Sequence, residues 1–395
     1  MENIKPMKEA SFQNLVSMLE GMVDFRINRH KQYPIGEILF LTLSAVMSGY
    51  TEWEEIQDFG EEKIDWLRKY YPYSNGIPSH DTINRVISNM DNRHFEKLFI
   101  EWATKDIVLP QGTVINVDGK KVRGSATKKE QQAPRENGGK SAIHLVDAWC
   151  GELGCCLGQY RTEDKSNEIT AIPALLELLD ISGCTVTIDA MGCQKAIARQ
   201  IVGQGANYVF GLKDNQIKLR EAVSGLFGSA AVINKAEQQG LQKHLYEEAQ
   251  KSGHGRIEKR VCRALPASLL DETLQREWVS IRSIVEVTAY RMVEQTQQFS
   301  IESRYYISSL ETDAQLLNRL IRSHWGVENS LHWSLDVSFR EDHSRKRSKN
   351  AAANFGTILR LALNNLKQIP EKRSIHRKQN KCAMSDEYRE KAMGF

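Results

Sequence analysis

The sequence lacks the features of a membrane protein and of a disulfide-linked secreted protein. Its longest apolar run, residues 38–47, is too short to span a bilayer, and residues 1–5 show no signal-peptide pattern. The seven cysteines are odd in number, and they include no CxxC pair and no Cys/His spacing typical of a zinc site. We therefore expect reduced, mostly buried thiols in a cytoplasmic protein.

A strong net charge is also missing. The formal charge is only +3, so the balance of the whole chain does not identify a nucleic-acid-binding protein. The charge is unevenly distributed, however, because residues 343–381 contain eleven Lys and Arg and a single acidic residue, Glu371. Such a segment suits a polyanion, and a solvated basic tail is the alternative. No GxGxxG motif follows the first predicted strand, which leaves a dinucleotide site unsupported.

The chain does contain enough apolar sequence for two or three folded domains, with 395 residues of which 41% are apolar and 26% charged. Residues 8–108 have the pattern of helices. From Gly112 the pattern changes to β-branched runs, and the predicted order βββαβαβ is typical of a mixed sheet flanked by helices. Residues 214–305 interrupt this order with further strand patterns, so we predict a β-containing insertion before the C-terminal helices.

Three acidic residues stand out against apolar surroundings. Asp118 and Asp189 each follow an apolar run that predicts a strand, and Glu328 lies in a predicted helix. If the two strands are neighbours, both aspartates share one edge of the sheet, where they could hold Mg²⁺ for phosphodiester chemistry. The alternatives are ordinary ones, since an aspartate after a strand is usually a turn residue and a single helical glutamate is usually solvated.

Basic residues follow the first aspartate closely. Lys120, Lys121 and Arg123 could bind a phosphate group, or they could form the solvated end of a strand. Arg345, Lys346 and Arg347 lie together in the basic segment and are further candidates for DNA contacts.

Several longer motifs resemble the H-repeat-associated transposases, which are insertion-sequence transposases with a DDE site. The resemblance covers about residues 10–365. The motifs that carry it are residues 118–120 (DGK), 165–173 (KSNEITAIP), 187–194 (TIDAMGCQ), 304–309 (RYYISS) and 324–333 (HWGVENSLHW).

The resemblance implies an α/β fold with a ribonuclease-H-like mixed sheet, flanking helices, a β-containing insertion and an N-terminal helical domain. It implies an N-terminal domain associated with DDE transposases, for which DNA binding is one role. In all it implies five segments: this domain, a first part of the catalytic core, the insertion, a second part of the catalytic core, and a basic tail. In chain order their bounds are 1–108, 109–213, 214–308, 309–365 and 366–395.

The activity implied by the resemblance is cleavage of DNA at the ends of an element, followed by transfer of the freed 3′-OH to target DNA. Carried over by position, Asp118, Asp189 and Glu328 are the ligands of two Mg²⁺ or Mn²⁺ ions. The expected partners are double-stranded DNA and a second copy of the chain on that DNA. Two rival interpretations remain open, a silent DNA-binding protein descended from a transposase and a nuclease without strand transfer.

The sequence departs from the wider DDE group around the glutamate. Many members carry Tyr, Arg and Lys at seven and four residues before it and seven after it, where this chain has Ile321, His324 and Leu335. Local residues that could replace those phosphate contacts are Arg322, His324 and Asn329.

Overall fold

The computed structural model of the protein describes residues 12–27, 31–105, 107–127, 141–162, 168–238, 244–252 and 256–394. Residues 165–167 of the KSNEITAIP motif lie outside this part. Within the described ranges, no helix is both long enough and apolar enough to cross a membrane. The chain divides into two compact units: unit one comprises residues 1–108, 119–179 and 328–395, and unit two comprises residues 109–118 and 180–327.

Helices precede the first strand, as the periodicity of residues 8–108 predicts. They are α1 (Phe12–Glu20), α2 (Ile35–Met47), α3 (Trp53–Glu62), α4 (Ile64–Leu67), α5 (His80–Asn89) and α6 (Asn92–Thr104). Every residue of α2 is buried, so the longest apolar run of the sequence is a core helix of unit one. Helix α5 begins after Ser79, whose hydroxyl oxygen accepts a hydrogen bond from the backbone N–H of Thr82.

The strands form a nine-stranded mixed sheet in the order β3-β2-β1-β4-β5-β9-β8-β7-β6. Their bounds are β1 (Val114–Lys121), β2 (His144–Cys150), β3 (Cys155–Arg161), β4 (Thr185–Ile188), β5 (Asn207–Leu212), β6 (Leu245–Ser252), β7 (Arg256–Pro266), β8 (Ser283–Val293) and β9 (Gln298–Ser308). Strand β1 passes from unit two into unit one between Asp118 and Gly119.

The remaining helices lie between these strands in the sequence or follow the last of them. They are α7 (Glu168–Glu177), α8 (Lys195–Gly203), α9 (Ile217–Gly228), α10 (Ala230–Gln238), α11 (Glu272–Glu277), α12 (Ala314–Gly326), α13 (Trp333–Val337), α14 (Ala351–Gln368), α15 (Ile375–Met384) and α16 (Asp386–Ala392). A wide π-helical turn, Val327–His332, joins α12 to α13.

Unit two contains short parallel strands, and long antiparallel strands extend the same sheet beside them. Strand β4 pairs in parallel with β1 and with β5, and these short strands are apolar because a parallel sheet is covered on both faces. Strands β6 to β9 form the predicted β-containing insertion, and β9 pairs antiparallel with β5, so the insertion extends the same sheet. Helix α12 buries Leu317 and Ile321 against Val209 and Val285.

Unit one is organised around α14, of which nearly every residue is buried. Asn364 of α14 exchanges two hydrogen bonds with the backbone of Cys156 in β3, at 2.9 and 2.8 Å. Asn354 donates to the backbone oxygen of Ile87, 2.7 Å away, at the end of α5. Helix α5 therefore packs against α14 inside the unit.

The fold class expected from the sequence is confirmed. The protein has a nine-stranded mixed sheet with flanking helices, a β-containing insertion, and a helical N-terminal region. All seven cysteines are buried free thiols, as expected. The five segment boundaries stay a prediction. The two compact units described above are divided at other places in the chain.

Candidate active site

Asp118 and Asp189 are placed by the backbone register of two neighbouring strands. Strands β1 and β4 run parallel, with Asn116 opposite Thr187 and Val117 opposite Ile188. Each aspartate directly follows the last paired residue of its strand, and paired strands lie about 4.8 Å apart. Both are half-buried. The expectation that Asp118 closes its strand is wrong, because β1 continues to Lys121; what ends at this step is the pairing with β4.

Asp189 begins a tight turn. Its Oδ1 accepts hydrogen bonds from the backbone N–H groups of Met191 at 3.0 Å and Gly192 at 3.3 Å. The turn role considered from the sequence is therefore real. It orients the carboxylate, and since a carboxylate has about four lone-pair positions, the turn is compatible with binding a cation as well.

A polar cluster anchors the end of α12 beside the same strands. Asn116 donates to Thr187 Oγ1 at 2.7 Å, and Thr187 Oγ1 lies 3.0 Å from His324 Nδ1. Ser323 Oγ lies 3.4 Å from the same amide nitrogen of Asn116. Because side chains two residues apart share a face of a strand, Asn116 and Asp118 belong to one face of β1. His324 therefore acts here as a packing anchor for the helix that precedes Glu328.

Glu328 lies in the wide turn Val327–His332 and is exposed. Such π-helical turns often occur at functional sites, because they redirect side chains within a helix. In unit one, Glu328 lines a cleft of about 350 Å³. The other residues of this cleft are Gly119, Lys120, Lys121, Arg123, Asn329, His332, Trp333, Asp336 and Asp342.

The DNA-binding candidates differ in exposure. Lys121, Arg123, Arg345 and the neutral Asn329 are exposed, and Arg123 Nε also lies 3.4 Å from Asp342 Oδ2. Lys120 is buried among acidic groups, with its ammonium on the Asp336 carboxylate.

The other basic candidates have protein partners. Arg322 donates to Glu248 at 2.9 Å, and Arg347 donates to the backbone oxygen of Gly124 at 3.0 Å. Lys346 is buried between the rings of Trp53 and Phe355, and its ammonium donates to the backbone oxygen of Thr51 at 2.7 Å. These contacts make Lys346 part of the unit's interior.

The donor chemistry fits a hard divalent cation. Carboxylate oxygens are the ligands that Mg²⁺ and Mn²⁺ prefer, and the carboxylates of Asp118 and Asp189 directly follow the last paired residues of two neighbouring strands. Among the residues that the structure describes, no three Asp, Glu, His or Cys side chains come together as a group that could hold a metal ion.

One carboxylate near β1, that of Glu168, is not among the site residues predicted from the sequence. A Cβ atom on Gly119 would overlap the carboxyl group of Glu168, which also lies 3.9 Å from His144 Nδ1. A glycine in the interior of a strand often marks such a close approach, so Gly119 was the signal that could have revealed it.

Comparison with known proteins identifies the family of the chain. Residues 109–365 match the family of transposase DDE domains, and residues 16–103 match the DDE_Tnp_1-associated domain. The chain belongs to the DDE transposase family.

Full-length relatives support this assignment. YncI of Escherichia coli O157:H7, provisionally named a transposase, is 40% identical over 387 residues, which cover 97% of this chain and 95% of YncI. YhhI of Escherichia coli strain K12, an H-repeat-associated protein named in the same provisional way, is 38% identical over 382 residues, covering 95% and 96%. Among solved structures, a piggyBac transposase synaptic complex with hairpin DNA aligns over 95% of this chain and 80% of its own, with 12% identity and a TM-score of 0.45.

Proposed function

We propose that this protein is an active DNA transposase that cuts the ends of its own element and joins them to target DNA. The observation that carries the proposal is that Asp118 and Asp189 directly follow Val117 and Ile188, the last paired residues of two parallel strands. Membership of the DDE family supports the proposal that these two carboxylates hold divalent metal. Glu328, exposed in a cleft that also contains Gly119, is the third ligand in this proposal.

The chemistry consists of two displacements at phosphorus. In the first, water attacks the phosphodiester at the element end, a new P–O bond forms, and the bond to the 3′ oxygen breaks to leave a 3′-OH. In the second, that 3′-OH attacks a target phosphodiester and a target 3′-OH leaves. Mg²⁺ or Mn²⁺, held as a pair of ions, would activate the attacking oxygen and stabilise the leaving one. Asp118, Asp189 and Glu328 would hold the ions, and the turn at Asp189 would keep its carboxylate oriented.

Exposed cations would bind the DNA backbone. Lys121 and Arg123 line the cleft of Glu328, and Arg345 begins the basic segment. Each phosphate contact releases counterions, so each should contribute to the salt dependence of binding. Arg322, His324 and Asn329 remain weaker proposals, since the first two already have protein partners. Pairing of two element ends would require a second copy of the chain on the DNA.

The test is a supercoiled plasmid that carries the element ends, incubated with the protein and Mg²⁺ or Mn²⁺. Asp189→Asn should bind DNA as the parent does and should cut at least about 100-fold more slowly, because even the loss of outer-shell partners costs about 10–100-fold. The matched control is Asp214→Asn, an exposed aspartate of unit two, which should cut normally.

The same assay separates the rival functions. Nicked and joined products from the parent chain support a transposase. Nicking without joined products would indicate a nuclease, and binding without nicking under either metal would indicate a silent DNA-binding protein. Cutting retained by Asp189→Asn would remove Asp189 from the metal site.

A further inference from the structure

We infer that Lys120 is a positioning residue, whose ammonium holds the segment that carries Glu328 against the end of β1, and that it does not contact DNA. The inference rests on the proposed function, because it assigns Lys120 to the support of a metal ligand. Three sets of contacts within unit one lead to it.

The first set surrounds the ammonium of Lys120. The side chain of Lys120 is only 6% exposed, and its Nζ lies on the carboxylate of Asp336. Glu341 Oε2 lies 3.3 Å from the same nitrogen, and Asp342 Oδ1 lies 3.9 Å from it. Asp336 accepts a hydrogen bond from the ammonium, and Glu341 and Asp342 add negative charge beside it. A phosphate group would have to displace carboxylates that are already in place.

The second set connects Glu341 to the interior of the unit. Glu341 Oε1 lies 2.5 Å from Arg360 Nη1, and Arg360 holds Asp147 of β2 through two bonds of 2.6 and 2.8 Å. Burial alone would raise the pKa of Asp147, but the charge and hydrogen bonds of Arg360 outweigh burial and hold that pKa well below its ordinary value. The pair therefore stays ionised at neutral pH, and each charge depends on its neighbour.

The third set returns to the turn that carries Glu328. His332, the last residue of the turn, places its Nε2 3.4 Å from Asp147 Oδ2. Asp336, four residues further along, is the residue that contacts Lys120. The chain after Glu328 is thus attached at two points, one through β1 and one through β2.

These attachments matter because Glu328 itself is exposed and lies in a wide turn. A productive metal site requires its ligands to be held within about 0.5 Å, which depends on residues that support the ligands. Loss of such supporting partners typically reduces metal affinity by about 10–100-fold. The neighbour of Lys120 offers a natural comparison, since Lys121 is exposed where Lys120 is buried.

The first experiment measures DNA affinity against salt for Lys120→Met and Lys121→Met. Lys121→Met should reduce the slope of log affinity against log salt by about 1, as expected for one lost phosphate contact. Lys120→Met should leave that slope unchanged. An equal reduction in both variants would overturn the inference, because it would show that Lys120 contacts phosphate.

The second experiment measures metal binding without relying on activity. It uses Asp336→Asn, because this variant weakens one attachment and leaves Lys120 paired with Glu341. The Mn²⁺ concentration that gives half of the metal-induced rise in melting temperature should increase about 10-fold. The control, Asp65→Asn, changes an exposed aspartate of α4 and should need the same Mn²⁺ as the parent. An unchanged Mn²⁺ requirement in Asp336→Asn would contradict the positioning role.

The two proposals fail in different ways. A parent chain that neither responds to Mn²⁺ nor cuts would refute the proposed function. A parent chain that cuts, together with a reduced salt slope in Lys120→Met, would refute only the role assigned to Lys120.

Discussion

The two aspartates and the glutamate are held in place by different kinds of structure. Asp118 and Asp189 take their positions from backbone pairing between β1 and β4, which depends little on any particular side chain. Glu328 lies in a wide turn, and the residues after it are held by contacts with the buried charges of Lys120 and Asp147, the latter paired with Arg360. Backbone register tolerates substitution of neighbouring side chains, whereas a buried network of charges loses its balance when one member is removed. We therefore expect substitutions around Glu328 to have larger structural effects than substitutions around the aspartates.

The largest expected effect is that of Arg360→Met. Arg360 is fully buried and joins Asp147 to Glu341, so its loss leaves two buried carboxylates without their shared cation. Removal of one partner of a buried ion pair costs about 3–5 kcal/mol in the free energy of unfolding. Urea denaturation measures the loss.

The control for Arg360→Met is Arg345→Met, which changes an exposed arginine and should stay within about 0.5 kcal/mol of the parent. A loss below about 1 kcal/mol in Arg360→Met would mean that the network contributes little to positioning the segment after Glu328.

A smaller effect is expected from Gly124→Ala, which tests the packing beside the same network. A Cβ atom at this position would overlap the backbone oxygen of Ser344 and lie 2.9 Å from that of Asp342. Backbone atoms cannot swing aside as a flexible side chain can, so the overlap should destabilise the fold by about 1–3 kcal/mol. The melting temperature should fall accordingly.

Gly203→Ala is the matched control, because a Cβ atom at the end of α8 meets no heavy atom within 4 Å. It should change the free energy of unfolding by less than about 0.5 kcal/mol or stabilise slightly. Equal effects of the two substitutions would contradict the close packing of Gly124 on the segment after Glu341.

The smallest expected effect concerns a buried carboxylate outside the network. Burial raises the pKa of Glu96 from 4.5 to about 6, with Arg93 partly opposing the shift. The folded state thus holds this proton more tightly than the unfolded state does. The resulting stability is complete below pH 4.5 and is lost as the pH rises towards 6, by about 2 kcal/mol for that shift.

Glu96→Gln should therefore flatten the pH dependence of unfolding between pH 4.5 and 6. Asp147 behaves in the opposite sense, because its pKa is lowered: its stabilisation is present above its unfolded pKa and is lost as the pH falls. An unchanged profile in Glu96→Gln would show that Glu96 does not titrate in this range.

The two aspartates and the glutamate also differ in how far their surroundings could be predicted from the sequence. The placement of Asp118 and Asp189 was accessible, because apolar runs such as residues 184–188 identify strands locally and parallel neighbours bring their residues to one edge. The extension of β1 to Lys121 could not be predicted, since the last residues of this strand are polar and their pairing depends on the partner strand.

The surroundings of Glu328 could not be predicted from the sequence. Asp147 lies in a strand pattern that gives no sign of its partner Arg360, which is 213 residues away in the chain. Lys346 belongs to a basic run that predicts DNA contacts or a solvated tail, yet its ammonium packs against Trp53 and Phe355. Charge pattern identifies residue types, whereas burial is decided by tertiary packing.

Anomalous scattering from crystals of the protein soaked with Mn²⁺ would test the proposed metal site most directly. We expect a Mn²⁺ peak coordinated by carboxylate oxygens of Asp118, Asp189 and Glu328, and its loss in Asp189→Asn crystals. Mn²⁺ bound by other residues, with these three carboxylates taking no part, would contradict it.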